Sequence, residues 1–210
     1  MSPADLAAPL QAVLFDLGGV LVDWNPRHLY RKIFADPQAM EHFLATVCNS
    51  EWNEAQDAGR PFAEGVRLLV AQYPHLAAEI RAYHERWDEM LRGEIAESVI
   101  LLEGLRGRGI GLYALSNWSS ETYPIARARF AFLDWFDGIV ISGEEGLKKP
   151  DPRIFAVPER RFGLVPQATL FIDDSPRNIA AAATLGYRTH LFTDPQALRT
   201  VLAEHGLQIR

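Results

Sequence analysis

The chain is poor in several things that would narrow its function. It has one cysteine, Cys48, in 210 residues, so no intrachain disulfide can form and no cysteine-based zinc site is available. That usage fits a reducing compartment, and the expected location is cytoplasmic. No apolar run approaches the ~20 residues needed to cross a bilayer, so no membrane partner is expected. Met1-Ser2-Pro3-Ala4-Asp5 also lacks the basic-then-apolar order of a secretory leader. Positive charge is scarce: 21 Lys and Arg stand against 27 Asp and Glu, a net charge of -6. This leaves no basic footprint for nucleic acid. A small anionic substrate stays compatible, because local field decides its binding. The six histidines have no HxxxH-type spacing and read as surface or packing residues. No repeat or low-complexity tract is present.

What the chain does have is core material, with 48% hydrophobic residues and 23% charged. Gln11–Phe15, Leu112–Leu115, Ile139–Ile141, Thr169–Ile172 and Thr189–Phe192 are short apolar runs bounded by polar residues or glycine, the pattern of strands buried on both faces. Between them lie helix-like segments. Ser98–Arg106 stops at Gly107, and Glu121–Phe130 follows Ser119-Ser120. Pro152–Phe162 follows Asp151, and Pro176–Leu185 follows Ser175 and stops at Gly186. This alternation predicts an α/β fold with a doubly wound parallel sheet. Residues 25–97 break the rhythm. Tyr30–Phe34, Met40–Val47, Phe62–Gln72 and Leu76–Leu91 are helical in period, with no strand-like run among them. The expected organisation is a core of residues 1–24 and 98–210 with a small all-helical cap at 25–97.

In open parallel sheets ligands bind outside the carboxyl ends of the strands, so the polar residues there carry the functional information. The first strand ends at Asp16, followed by Leu17-Gly18-Gly19; another ends at Ser116-Asn117. A later loop holds Lys148-Lys149-Pro150, and a further strand ends at Asp173-Asp174. Together they offer carboxylates for a divalent cation, a hydroxyl and an ammonium for an oxyanion, and one carboxylate free to attack. Ser175 already stands at the N-cap before Pro176, so the two acids read as surplus to capping. Lys149 is the functional choice of the two lysines; Lys148 reads as solvated. Trp52, Asn53, Gln56, Asp57 and Arg60 could face a substrate, but aromatic packing and a solvated face explain them equally well.

Four segments in order resemble the motifs of the haloacid dehalogenase-like superfamily. They are Phe15-Asp16-Leu17-Gly18-Gly19-Val20-Leu21, Leu115-Ser116-Asn117, Lys149-Pro150-Asp151-Pro152 and Phe171-Ile172-Asp173-Asp174-Ser175-Pro176-Arg177-Asn178. The resemblance covers nearly the whole chain and implies a hydrolase with Asp16 as nucleophile. It implies a magnesium-dependent phosphatase that forms an aspartyl-phosphate on a small phosphorylated metabolite; some relatives with a similar Asp-Leu-Gly stretch look like sugar-phosphate phosphatases. The implied metal ligands are Asp16, the Gly18 carbonyl and Asp174, with Asp173 and Asn178 orienting the outer shell. Ser116 and Lys149 would bind the phosphoryl group, helped by backbone N–H groups around Gly19 and Asn117.

One departure matters. Most phosphatases of that family carry a second aspartate two residues after the nucleophile, as acid and then base; here Gly18 stands there. Asp23 is a candidate substitute. Two further readings stay open. A 2-haloacid dehalogenase would use Asp16 on carbon without metal, although Asp173-Asp174 gives such a site nothing. A phospho-accepting, receiver-like signalling module would carry its acidic pair after the first strand. A nicotinamide enzyme is disfavoured because Asp16-Leu17-Gly18-Gly19 is not GxGxxG. The oligomeric state stays open.

Overall fold

A computed structural model of the chain describes residues 9–209; Met1–Asp5, with the reading made on it, lies outside them. The strands are β1 (Ala12–Phe15), β2 (Val22–Trp24), β3 (Leu91–Glu94), β4 (Gly111–Ser116), β5 (Gly138–Ile141), β6 (Thr169–Asp173) and β7 (Arg188–Leu191). The helices are α1 (Arg27–Tyr30), α2 (Pro37–Thr46), α3 (Ser50–Asp57), α4 (Phe62–Gln72), α5 (Ala77–Glu85), α6 (Ala96–Leu105), α7 (Tyr123–Arg129), α8 (Ser142–Glu145), α9 (Pro152–Phe162), α10 (Pro176–Thr184) and α11 (Pro195–Glu204).

Five strands form a parallel sheet in the order β5-β4-β1-β6-β7. The strand order reverses beside β1, the place where doubly wound sheets open a crevice. β1 is central because all four of its residues are apolar and fully enclosed; a polar residue at any of them would face helix packing instead of water. Phe15 pairs with Ala114 of β4 and with Ile172 of β6. This register ends the three middle strands side by side, so Asp16, Ser116 and Asp173 share one edge. The helices after the strands start and stop where local chemistry directs. Asp151 accepts the Arg153 N–H at 2.9 Å to open α9, Pro152 occupies its first turn, and Gly163 closes it at φ 72°.

The segment between β2 and β3 is helical, as its periodicity predicts, but it differs in three ways. Leu91–Glu94 is a strand that pairs antiparallel with Val22–Trp24, so a two-stranded ribbon ties the inserted helices to the sheet domain. The expected single helix over Leu76–Leu91 divides into a 3-10 turn at Pro74–Leu76, α5, and a second 3-10 turn at Trp87–Met90, because Leu91 must turn extended to meet Trp24. Ser50–Asp57 forms α3 although it is largely polar and has no apolar stripe to predict a helix. Its start is fixed instead by Asn49, whose side chain accepts the Trp52 N–H at 2.8 Å. The inserted helices pack around Tyr30, Phe43, Trp52, Phe62 and Tyr83, with Tyr30–Phe43 and Trp52–Tyr83 ring centroids each 5.0 Å apart. Trp87 meets Trp118 of the sheet domain at 5.7 Å. Among the described residues no helix is long and apolar enough to cross a membrane.

The contrast between central strand and helix surface yields a stability prediction. Leu14→Ala in β1, where the side chain is fully enclosed, is expected to lower unfolding free energy by ~2–5 kcal/mol. Ile100→Ala, half-exposed on α6, should stay within ~0.5 kcal/mol of wild type. Denaturant melts of the two variants check this.

Candidate active site

The carboxyl edge of the sheet brings together almost every residue the sequence singles out. Asp16 follows β1 directly and is only 8% exposed. Its Oδ1 accepts the Ser116 hydroxyl at 2.8 Å and the Leu17 N–H at 2.7 Å, and its Oδ2 lies 3.0 Å from the Lys149 ammonium. Lys149 Nζ also donates to Asp173 Oδ2 at 2.6 Å. All three charged side chains are buried, so each depends on the others for compensation. Burial works against the Lys149 ammonium, but Asp16 and Asp173 outweigh it and raise its pKa. Burial pushes the Asp16 carboxyl up to about 7, with Lys149 pulling back and Asp173 adding to the rise.

Asp173 and Asn178, expected around a metal's outer shell, are bonded to each other, and Asp173 carries the Lys149 ammonium. Asn178 Nδ2 donates to both Asp173 oxygens at 3.0 Å, and the Ser175 N–H donates to Asp173 Oδ1 at 2.8 Å. Ser175 makes no side-chain cap, so Asp173 is not surplus to the turn that opens α10. Asn117 likewise grips the lysine loop. Its Nδ2 donates to the Lys149 carbonyl at 2.9 Å and its Oδ1 accepts the Lys149 N–H at 2.8 Å. The Gly19 N–H, expected to reach substrate, donates to the Val22 carbonyl at 2.9 Å. Gly19 matters for a different reason. It stands at φ 73°, and a Cβ there would lie 2.3 Å from Asp174 Oδ2, so only glycine lets Asp174 lean over the first loop.

These residues open onto a cleft of about 600 Å³ lined by Asp16, Gly18, Gly19, Ser116, Asn117 and Asp174 from the sheet domain. That volume is in the range of small-molecule sites. Oxygens of Asp16, Asp173 and Asp174 lie within 4.8 Å of one another and could hold a metal ion. Of these three acids Asp16 and Asp174 line the cleft, whereas Asp173 is fully buried and bonded to Lys149, Asn178 and the Ser175 N–H. Hard oxygen donors of this kind suit a divalent cation such as magnesium. Burial raises the Asp174 pKa, and neighbouring Asp173 raises it further, a repulsion that a cation would relieve.

The far wall of the cleft comes from the inserted helices, and here the sequence reading was incomplete. Of the five residues considered around α3, Asn53 and Asp57 line the cleft. Trp52, Gln56 and Arg60 form an internal network, with Gln56 Nε2 donating to the Trp52 carbonyl at 2.7 Å and Arg60 Nε to Gln56 Oε1 at 2.6 Å. Lys148, expected in solvent, is ion-paired with Glu54 of α3, which also meets Arg177 at 3.1 Å. Burial opposes the Glu54 charge, yet the two cations hold its pKa below the usual value. Asp23 is engaged by His28 at 3.0 Å and borders a separate groove with Gly19, Trp24 and Arg92. His84 behaves as a packing residue, stacked on Phe62 at 4.5 Å.

Known proteins share this sequence pattern and fold. The chain is 30% identical over 182 residues to the sesquiterpene phosphatase astK of Aspergillus oryzae, covering 86% of this chain and 89% of that one. A haloacid dehalogenase-family enzyme from Bacteroides thetaiotaomicron, solved in complex with magnesium and inorganic phosphate, superposes with a TM-score of 0.68 at 25% identity, covering 88% of this chain and 95% of the other. The L-2-haloacid dehalogenase of Xanthobacter autotrophicus shares the fold with a TM-score of 0.62 at 18% identity, covering 96% and 89%. Residues 10–186 match the family model described as haloacid dehalogenase-like hydrolase. A buried aspartate at the switch point of this sheet and a match over most of the chain lead to one conclusion: the protein belongs to the haloacid dehalogenase-like hydrolases.

Proposed function

We propose that the protein is a magnesium-dependent phosphatase acting on a small phosphorylated metabolite through an aspartyl-phosphate on Asp16. The observation that carries the reading is the setting of the Asp16 carboxylate. One oxygen is fixed by Ser116 and Leu17 and the other by Lys149, with Asp174 leaning in across Gly19. A carboxylate held this way needs little reorganisation to attack phosphorus, and the covalent intermediate replaces one hard displacement with two easier ones. Ser116 and Asn117, both on the cleft wall, are placed to meet phosphoryl oxygens. Lys149 counters negative charge from behind the nucleophile.

Asp16, Asp174 and the Gly18 carbonyl are the proposed magnesium ligands, with Asp173 and Asn178 supporting them through Lys149. Bound there, magnesium supplies the charge neutralisation that lets an anionic ester approach an anionic nucleophile. Residues 25–97 act as the cap, and residues 1–24 and 98–210 as the catalytic core. The cap contributes Trp87, Asn53 and Asp57 against Trp24 and Trp118, a mixture of indole faces and polar groups that suits a compact hydroxylated alcohol such as a sugar. The astK relative, a sesquiterpene phosphatase, supports phosphate-ester chemistry over dehalogenation. So does the nearness of Asp174 to Asp16 and Asp173, a cluster of acids suited to a divalent cation.

Asp16→Asn should abolish phosphate release from p-nitrophenyl phosphate while the circular dichroism spectrum stays native-like, with a lower melting temperature because Lys149 then keeps only Asp173 as counter-charge. EDTA should stop the wild-type reaction and magnesium restore it. Magnesium-independent chloride release from 2-chloropropionate would overturn the reading. Gly19→Ala, which drives a methyl into Asp174, is expected to raise the magnesium concentration for half-maximal activity by ~10–100-fold, read from metal titrations at saturating substrate.

A further inference from the structure

We propose that Asp57, at the end of α3, is the general acid and base of the reaction, doing from the cap what the missing side chain at Gly18 cannot. The proposal rests on the reading of Asp16 as a phosphate-ester nucleophile and adds the proton-transfer group that reading lacks. Attack by Asp16 expels an oxyanion, and a positioned acid that protonates it is worth ~10²–10⁴ in rate. No residue of the first loop provides one.

The space left by Gly18 leads to Asp57. A Cβ built on Gly18 meets nothing within 4 Å. The small cavity of about 60 Å³ beside it is bounded by Gly18, Trp24, Asn53, Asp57, Trp87, Asn117 and Trp118. Asp57 is the one titratable side chain in that set. It also lines the larger cleft with Asp16, Ser116 and Asp174, so it borders both the nucleophile's chamber and the void beside it. The other acids there are committed. Glu54 is paired with Lys148 and Arg177, Asp174 belongs to the metal set, and Asp23 is held by His28 in another groove.

Asp57 is firmly placed. Asn53 Nδ2 donates to its Oδ2 at 3.0 Å, and the Ser142 hydroxyl at the start of α8 donates to its backbone carbonyl. The groups that face its carboxyl are Glu54 on its own helix, Lys148 before α9, the Ser119 N–H beyond β4 and the Tyr83 phenol on α5. Burial pushes it up to about 7, with Glu54 adding and Lys148 and Ser119 opposing. Near neutral pH it therefore holds its proton part of the time, as a group that gives and then takes a proton must. In the first step the Asp16–phosphorus bond forms, the ester P–O bond breaks, and the departing oxygen takes the Asp57 proton. In the second, water attacks phosphorus and gives a proton to the Asp57 carboxylate, and the bond to Asp16 breaks to release phosphate.

The test measures kcat/KM, which reports the first chemical step, for two esters on the full chain with magnesium. p-Nitrophenyl phosphate has a leaving group that needs little protonation, whereas phenyl phosphate releases a phenol with a pKa of about 10. Asp57→Asn should lower kcat/KM for phenyl phosphate by ~10²-fold or more and that for p-nitrophenyl phosphate far less. As pH rises through about 7, loss of the Asp57 proton should work against the gain from Asp16 ionisation, giving wild-type kcat/KM for phenyl phosphate a bell shape whose alkaline limb is absent in Asp57→Asn. Placing an acid at the vacant position, in the Gly18→Asp/Asp57→Asn double variant, should restore part of the loss. Equal losses on both esters with the alkaline limb intact would assign Asp57 a purely structural role and overturn the proposal. Wild type that releases phosphate from neither ester would overturn the phosphatase reading as well.

Discussion

The site depends on one ammonium. Lys149 Nζ sits between Asp16 and Asp173 with all three side chains nearly shut off from water, and removing one partner from such an arrangement costs ~3–5 kcal/mol. Two carboxylates at the ends of adjacent parallel strands would otherwise repel across a few ångströms. With the lysine between them, the sheet can end two of its central strands in acids. Asn117 fixes the lysine backbone from β4, and Asn178 and Ser175 fix Asp173 from α10. The strand that supplies the Ser116 hydroxyl thus leads into the residue that grips the Lys149 backbone. The Asp16 carboxylate, the Ser116 hydroxyl and the Lys149 ammonium are thus joined in one bonded unit without any substrate.

A second constraint comes from the first loop. Gly19 accepts φ 73° and leaves room for Asp174, and Gly18 leaves an empty volume where a side chain could stand. The two glycines do opposite things: one permits a close approach, the other creates a void. The inserted helices complete the chamber, and the Glu54 contacts to Lys148 and Arg177 pin that wall to the loop before α9 and to the first turn of α10.

Much of this was legible in the sequence because parallel strands place functional residues at predictable points. Asp16, Ser116 and Asp173 each close an apolar run, so the sheet register alone gathers them. What sequence could not supply was partnership. Asp173 and Asn178 look like metal-shell residues in one dimension, and only the folded chain shows that Asp173 also carries Lys149 and that Asn178 braces Asp173. Lys148 looked solvated because its partner, Glu54, lies 94 positions away. The polar stretch Ser50–Asp57 has no apolar periodicity, so neither α3 nor the direction of Asp57 could be read from it. The strand at Leu91–Glu94 was hidden for a similar reason: Leu-Arg-Gly-Glu becomes extended only because Val22–Trp24 is there to pair with it.

That ribbon has a consequence for how such a protein can diverge. The chain leaves the sheet domain and returns to it through two strands that lie against each other, so the inserted segment enters and exits at neighbouring points. Any replacement segment whose ends could meet side by side would leave the β4-β1-β6 register untouched. The carboxyl edge of the sheet and the wall that the inserted helices set against it are therefore mechanically separable, and selection could exchange one wholesale while the other stays fixed.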